Sequence, residues 1–156
     1  MDQIKAFNLA MDRLYQRQGD LYQDYAAHYN LSMTAFWLLY TLCETDETYT
    51  QNMVADLWRL PRQSINSSVS TLVKAGYIRL EQLTGARNNK ALRLTPSGVK
   101  FCEQVVFPFF ELEDRVSRQL SESERRQFLS LSIKWCDLLQ KEIKAALDGT
   151  GPEEKP

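Results

Sequence analysis

The sequence predicts a mainly α-helical chain broken once by a short β-hairpin, with long terminal helices around a compact middle. Two observations carry this. Apolar residues recur at helical spacing in six segments, the last four of them opened by a cap residue or a proline. Period-two alternation appears only around residues 78–81 and 91–94, on either side of a polar loop.

The first segment runs from Ile4 to Tyr29, with Ile4, Phe7, Met11, Leu14, Leu21 and Tyr25 apolar and Gln18 completing a near-heptad spacing. Such a stripe is longer than a small core can cover, which predicts packing on a second subunit. Tyr15, Tyr22, Tyr25 and Tyr29 make the segment rich in tyrosine, a residue typical of cores and interfaces. Residues 33–43, MTAFWLLYTLC, predict a short helix buried under the middle of the chain, and CETDETYT is an acidic loop leading away from it.

Thr50 is the expected N-cap of the third helix, which should bury Met53, Val54 and Leu57. Leu60-Pro61 ends it, with Pro61 expected in the first turn of the fourth helix, where its missing N–H has no consequence. Ile65, Val69 and Leu72 form the inner face of that helix, and Gly76 stops it. Gln63, Ser67, Ser70 and Lys74 fall on the opposite face, and none is apolar or acidic. An amide- and hydroxyl-bearing outer face over a dry inner face suits a helix that reads base edges in the major groove. For this helix alone an ordinary solvated face has the same pattern.

The hairpin that follows adds to the case. Ile78 and Leu80 alternate with Arg79 and Glu81, and Leu92 and Leu94 with Ala91 and Arg93. Between them LTGARNN is a polar loop, with Gly85 for the turn and Arg87 near the tip. Helix, turn, helix and hairpin in this order are the parts of a winged helix-turn-helix, and an arginine at the wing tip suits a narrow, electronegative minor groove. Charge follows the same division. Residues 50–95 carry a net +5, residues 1–49 a net −4 and residues 96–156 a net −2. A basic middle between acidic flanks is an electrostatic footprint of nucleic-acid binding.

On these residues the chain resembles the MarR (multiple antibiotic resistance regulator) family of winged helix-turn-helix transcription factors. The segments that carry the resemblance are TQNMVADL, PRQSINSSVSTLVKAGYI and the wing closing on LRLTPSG. The layout, one long helix before this core and two after it, is similar too. The chain departs from the family in two places, the wing tip and the recognition helix. Ala86 stands where an aspartate usually precedes the tip arginine, and Ser67 and Thr71 stand where the recognition helix often has arginines.

The resemblance implies a homodimer on a pseudo-palindromic double-stranded DNA operator, most often a repressor tuned by a small molecule. DNA contacts are then expected from Arg62, Gln63, Ser64, Asn66, Ser67, Ser70, Lys74, Arg87 and Lys90. In that family a ligand pocket commonly lies where the first two helices meet the DNA-binding lobe. Here Tyr25, Tyr29, Phe36, Trp37 and Tyr40 would line it, a wall suited to an aromatic acid or a phenol.

Beyond the wing, Thr95-Pro96 reads as cap and first-turn proline of a fifth helix bearing Cys102, Val105, Val106, Phe109, Leu112 and Val116. Pro108 inside it predicts a kink or break near residues 103–107. SESE at Ser121–Glu124 is a capping-box signature for the sixth helix, which carries Phe128, Leu131, Trp135, Leu138, Leu139 and Ile143. The domain reading is a helical dimerisation region over 1–31 and 96–147, a winged helix over 32–95, and a flexible tail over 148–156.

Several functional classes lack support. Gly-rich phosphate loops, paired catalytic carboxylates and nucleophile–base pairs are missing, so no enzyme is expected, and no cofactor. Cys43, Cys102 and Cys136 have no metal or disulfide spacing, and their apolar helical contexts predict buried reduced thiols. The lone His28 makes no metal site or triad by itself. No apolar run approaches a bilayer span and no signal segment opens the chain, so a cytoplasmic protein without membrane contact is expected. Two alternatives stay open: a winged helix that docks proteins, and a thiol redox sensor, although the family's peroxide sensors place their cysteine early in the first helix, where this chain has none.

Overall fold

The computed structural model describes residues 2–83 and 90–149. Helix α1 spans Gln3–His28, α2 Met33–Glu44, α3 Gln51–Trp58 and α4 Arg62–Lys74. Strands β1, Ile78–Gln82, and β2, Lys90–Leu94, form the hairpin, and α5, Pro96–Arg118, and α6, Glu122–Leu147, complete the chain. The chain divides into two compact units, Met1–Phe110 and Glu111–Pro156.

Capping chemistry sets most boundaries in the first unit. The Asp2 carboxylate accepts from the Ile4 amide at the start of α1, Ser32 Oγ from the Ala35 amide at α2, and Thr50 Oγ1 from the Met53 amide at α3. Helix α3 ends at Arg59, held in the left-handed region at φ 53°. Pro61 sits one residue earlier than expected: it is the N-cap of α4, outside the first turn, and offers no side-chain cap. Gly76 at φ 78° closes α4, with the Tyr77 amide bonded to Leu72 O and the Gly76 amide to Val73 O. That double bond pattern is a Schellman motif, and glycine takes its left-handed position without strain.

The core of this unit is built from α2 outward. Ala35, Phe36, Leu38 and Leu39 of α2 are buried against Val54 and Ala55 of α3, Ile65, Val69 and Leu72 of α4, Ile78 and Leu92 of the hairpin, and Cys102, Val105, Val106 and Phe109 of α5. The third helix differs from expectation. Met53 and Leu57 are exposed at 45% and 53%, while Val54, Ala55 and the half-buried Trp58 face inward. In an eight-residue helix with apolar residues on two sides, spacing alone does not choose the inner one.

The hairpin pairs Ile78 with Leu94, Leu80 with Leu92 and Gln82 with Lys90 in antiparallel register. Its alternation holds only in part, because Ala91 is buried beside Leu92 and Leu80 is exposed. The cause is an added strand-like edge: Thr50 bridges Ala91, and the Leu92 amide donates to Tyr49 O at 2.8 Å. The polar loop over residues 84–89, with Gly85 and Arg87, lies outside the described residues.

At the start of α5 the Thr95 hydroxyl accepts from the Gly98 amide at 3.0 Å, with Pro96 as first helical residue. Gly98 packs against the Tyr77 carbonyl so closely that a Cβ there would lie 1.9 Å from that oxygen. The break expected near residues 103–107 does not occur, and α5 is one helix through Pro108. Val105, Val106 and Phe109, buried on both sides of the proline in sequence, hold that stretch to the core.

In the second unit the capping box of α6 is complete. Ser121 Oγ accepts from the Glu124 amide, and the Glu124 carboxylate accepts from the Ser121 amide at 2.7 Å. Hydrogen bonding of that carboxylate to Ser121, its amide first and its side chain second, holds the carboxyl of Glu124 below the usual carboxylate range. None of the α6 side chains is buried, and Phe128, Leu131 and Leu147 are exposed at 67%, 66% and 81%. Asp148 closes this helix through its amide to Lys144 O, and residues 150–156 lie outside the described part. Among the described residues no helix is long and apolar enough to cross a membrane.

Candidate nucleic-acid interface

Helix α4 buries Ile65, Ser68, Val69 and Leu72 and turns Arg62, Gln63, Asn66, Ser67, Ser70 and Lys74 outward. Six of the nine expected DNA contacts therefore share one exposed helix surface. Ser64 is half-buried beside them, Lys90 is exposed at the start of β2, and Arg87 falls outside the described residues. Ser68, which the outer-face pattern passes over, is buried with its hydroxyl 3.4 Å from that of Ser32.

The chemistry of this surface is more restricted than its composition suggests. Ser70 Oγ donates to Asn66 O and Thr71 Oγ1 to Ser67 O, both at 3.0 Å, so these hydroxyl hydrogens are committed to the helix and the oxygens remain acceptors. Gln63 and Asn66, one turn apart near the start of α4, are the amides able to meet adenine N6 and N7 together. The helix begins without a side-chain cap or an acid in its first turn, so its leading amides offer a positive end to a phosphate.

The basic residues divide into two sets. Arg62 pairs with Asp56 at 3.4 Å. Arg79 and Arg93, opposite each other in the hairpin register, both approach Glu81, at 3.2 Å and 3.9 Å, and Arg93 also donates to Thr48 Oγ1 at 2.8 Å. A share of the positive charge in the middle of the chain is thus neutralised at the root of the hairpin. Arg59 is exposed at the turn between α3 and α4. It belongs with the candidate contacts, and the sequence signal for it is its place directly before Leu60-Pro61.

The five residues expected to line a ligand pocket do come together, as part of a larger ring cluster. Tyr25 meets Tyr29 and Phe36 at centroid distances of 5.3 Å and 5.7 Å, and Trp37 meets Phe36 and Tyr40 at 5.4 Å and 5.3 Å. Tyr22, Trp58 and Phe109 join them, and Phe36 is fully buried. Tyr25 donates its hydroxyl to Val105 O at 2.8 Å. Burial first, and the neighbouring Tyr29 hydroxyl second, push this phenol above its ordinary pKa, so it stays protonated and keeps donating.

The thiols are less uniform than expected. Cys102 is buried, Cys43 half-buried and Cys136 exposed on α6. Apolar neighbours in sequence do not bury Cys136, because among the described residues no side chain of α6 is fully buried. The Cys43 thiol is held above the ordinary thiol range by its hydrogen bond to Cys102 and by burial.

With this geometry in place, the sequence matches the pattern of the MarR family over residues 29–87, the segment that holds α2, α3, α4 and β1. The matched segment is similar to the winged helix of that family. Solved MarR structures extend the likeness in fold to nearly the full length of the chain. A MarR family regulator from Neisseria meningitidis superposes with a TM-score of 0.75 at 20% identity, covering 94% of this chain and 99% of its own. The MepR–DNA complex of Staphylococcus aureus gives 0.69 at 19% identity, with 85% and 97% covered. Staphylococcus aureus MarR in complex with salicylate and kanamycin gives 0.66 at 16% identity, with 88% and 93% covered. A comparison with curated proteins finds no match. In this chain α3, α4 and the hairpin follow one another in the order of a winged helix-turn-helix.

Proposed function

We propose that this protein is a sequence-specific double-stranded DNA-binding transcriptional regulator, a homodimeric repressor on a pseudo-palindromic operator, released or tuned by a small-molecule effector of aromatic or phenolic kind. The observation that carries the reading is the outer surface of α4: exposed, free of acids, and bearing Arg62, Gln63, Asn66, Ser67, Ser70 and Lys74 in one run. Gln63 and Asn66 read bases, helped by Arg62 and Ser64. Lys74, Lys90, Arg59 and the wing residue Arg87 grip the phosphate backbone or the minor groove. A relative in fold, MepR, was solved with DNA, which supports the same use of this surface.

Dimerisation falls to residues 1–31 and 96–147, and 32–95 form the DNA-binding part. Ile4, Leu14 and Leu21 on α1 and Phe128, Leu131 and Leu138 on α6 are exposed large hydrophobics in the single chain. A second copy is the cover such stripes call for. The regulator works in the cytoplasm, where the DNA is.

The effector reading rests on the ring cluster of Tyr25, Tyr29, Phe36, Trp37 and Tyr40 and on the salicylate found with the Staphylococcus aureus MarR. An effector shifts DNA binding only by preferring a dimer spacing that the operator disfavours.

The deciding experiment is selection of bound duplexes from a randomised pool, followed by salicylate titration of the selected complex. The expected product is a pseudo-palindrome with half-site centres roughly 10 bp apart, one helical turn. A protein that enriches no duplex, yet captures a protein partner with salt-independent affinity, is a docking module instead. Operator affinity unmoved by aromatic acids and phenols reduces the ring cluster to a structural core.

A further inference from the structure

Between Thr50 and Leu80 the chain has one acidic residue, Asp56. It lies on the exposed side of α3, and its Oδ1 stands 3.4 Å from Nη2 of Arg62, the first residue of α4. Both side chains are well exposed, at 71% and 60%. An ion pair so open to water adds little to folding stability. A carboxylate beside a DNA-binding helix also repels phosphate, so by charge alone Asp56 works against binding. Neither stability nor bulk electrostatics accounts for an acid at this place.

Its geometry suggests a different role. The guanidinium of Arg62 is a planar fork of N–H donors. A carboxylate engaging one nitrogen from α3 restricts the long side chain before DNA arrives and leaves other N–H groups to meet two acceptors side by side. Guanine presents such a pair, O6 and N7, in the major groove. An arginine restrained in this way loses less conformational freedom on docking than one that swings in solvent, and a misplaced base leaves its donors unmet.

We propose that Asp56 is a positioning residue that aims Arg62 at a guanine in each half-site, giving up general affinity for discrimination. This rests on the DNA-binding reading above and adds to it a base identity and a residue outside the recognition helix.

The experiment compares wild type, Asp56→Asn, Asp56→Ala, Arg62→Ala and the double variant Asp56→Asn/Arg62→Ala. Each is titrated against a duplex that the wild type selects from a randomised pool and against a scrambled duplex of the same composition. Both Asp56 variants are expected to bind the scrambled duplex as well as wild type or better, while the ratio of selected to scrambled affinity falls about tenfold. Tolerance should widen at one guanine position per half-site, and Asp56→Asn should change the ratio no further once Arg62 is alanine. If the Asp56 variants tighten both duplexes equally, the carboxylate only repels phosphate and the positioning role is overturned. An unchanged ratio, or a loss that persists in the Arg62→Ala background, overturns it too. A wild type that selects no sequence overturns the DNA-binding reading itself, and this inference with it.

Discussion

Trp58 lies over Trp37 with ring centroids 4.3 Å apart and planes 23° from parallel. Its indole N–H donates to Thr41 Oγ1 at 2.7 Å, and the Thr41 hydroxyl in turn donates to Trp37 O at 2.8 Å. One residue at the end of α3 is thereby fixed to two residues of α2. Because the turn to α4 begins at Arg59, the same contact sets where α4 starts.

Trp58→Ala removes both stack and donor, and should lower unfolding free energy by about 3 kcal/mol, the low end for a large aromatic because Trp58 is only half-buried. Trp58→Phe keeps a ring on Trp37 and loses the N–H, and should lose about 1 kcal/mol. Urea titration followed by circular dichroism measures both. Equal losses for the two variants would show that the hydrogen bond, and not the stacked ring, ties α3 to α2.

Gly98 gives a sharper steric test. A Cβ there would stand 1.9 Å from the Tyr77 carbonyl oxygen, which already accepts from the Thr95 amide. That oxygen is backbone and cannot rotate away, so α5 or the end of α4 has to move. Gly98→Ala should destabilise the protein by about 3 kcal/mol, well beyond the roughly 1 kcal/mol that alanine contributes as a better helix former. A denaturation midpoint equal to that of wild type is the outcome that contradicts the close approach.

How far this architecture is legible from sequence depends on whether a residue's role is set by its neighbours along the chain. Thr50, Ser121 with Glu124, Thr95-Pro96 and Gly76 act within a few residues of themselves, and each caps or stops the helix as expected. The outer surface of α4 was legible for the same reason, since helical spacing alone puts Gln63, Ser67, Ser70 and Lys74 together. Met53 and Leu57 are exposed against expectation because their burial depends on which side of α3 meets α2 and α4. Ala91 looked outward because its burial comes from Tyr49 and Thr50, some forty positions earlier. Trp58 and Phe109 joined the ring cluster, and Glu81 neutralised two arginines, through packing that no spacing rule reports.

The capping box carries a pH signature. Bonds from Ser121 hold the Glu124 carboxyl below its ordinary pKa in the folded chain. A depressed folded value means that the contribution is complete above the unfolded value, about 4.3, and is lost as pH falls through the folded one. Glu124→Gln keeps an acceptor oxygen but no charge. Wild type should therefore be the more stable of the two above about pH 5, with the difference shrinking as the carboxyl protonates. Thermal melts of both proteins across that range check the sign. A gap that widens toward acid would mean that the carboxylate is not favoured by the fold.

Glu81 restrains charge where Asp56 restrains geometry. Its carboxylate stands between Arg79 and Arg93, a directly opposed like-charge pair in the hairpin. Glu81→Gln removes one negative charge beside the proposed DNA surface and releases both arginines. Binding to selected and scrambled duplexes should strengthen together, by about threefold to tenfold at low salt, with the gain fading as salt rises. A gain confined to the selected duplex would instead make Arg79 or Arg93 a base reader.

The last prediction separates reading from grip. Gln63 and Asn66 lie early on α4 and carry the amides suited to adenine, whereas Arg87 belongs to a wing loop that lacks the acidic neighbour usual in the family. Gln63→Ala or Asn66→Ala should cost about 1–3 kcal/mol on the selected duplex and leave the scrambled duplex nearly unchanged. Arg87→Ala should weaken both by similar factors and reduce the slope of log affinity against log salt by about one. Lys74→Ala and Lys90→Ala should follow Arg87, because an ammonium on a long stem meets phosphate as a point charge. Salt titrations of each variant on both duplexes distinguish the two patterns. If Arg87→Ala lost only the selected duplex while both amide variants kept full discrimination, reading would belong to the wing and the outer surface of α4 would be reduced to a phosphate contact.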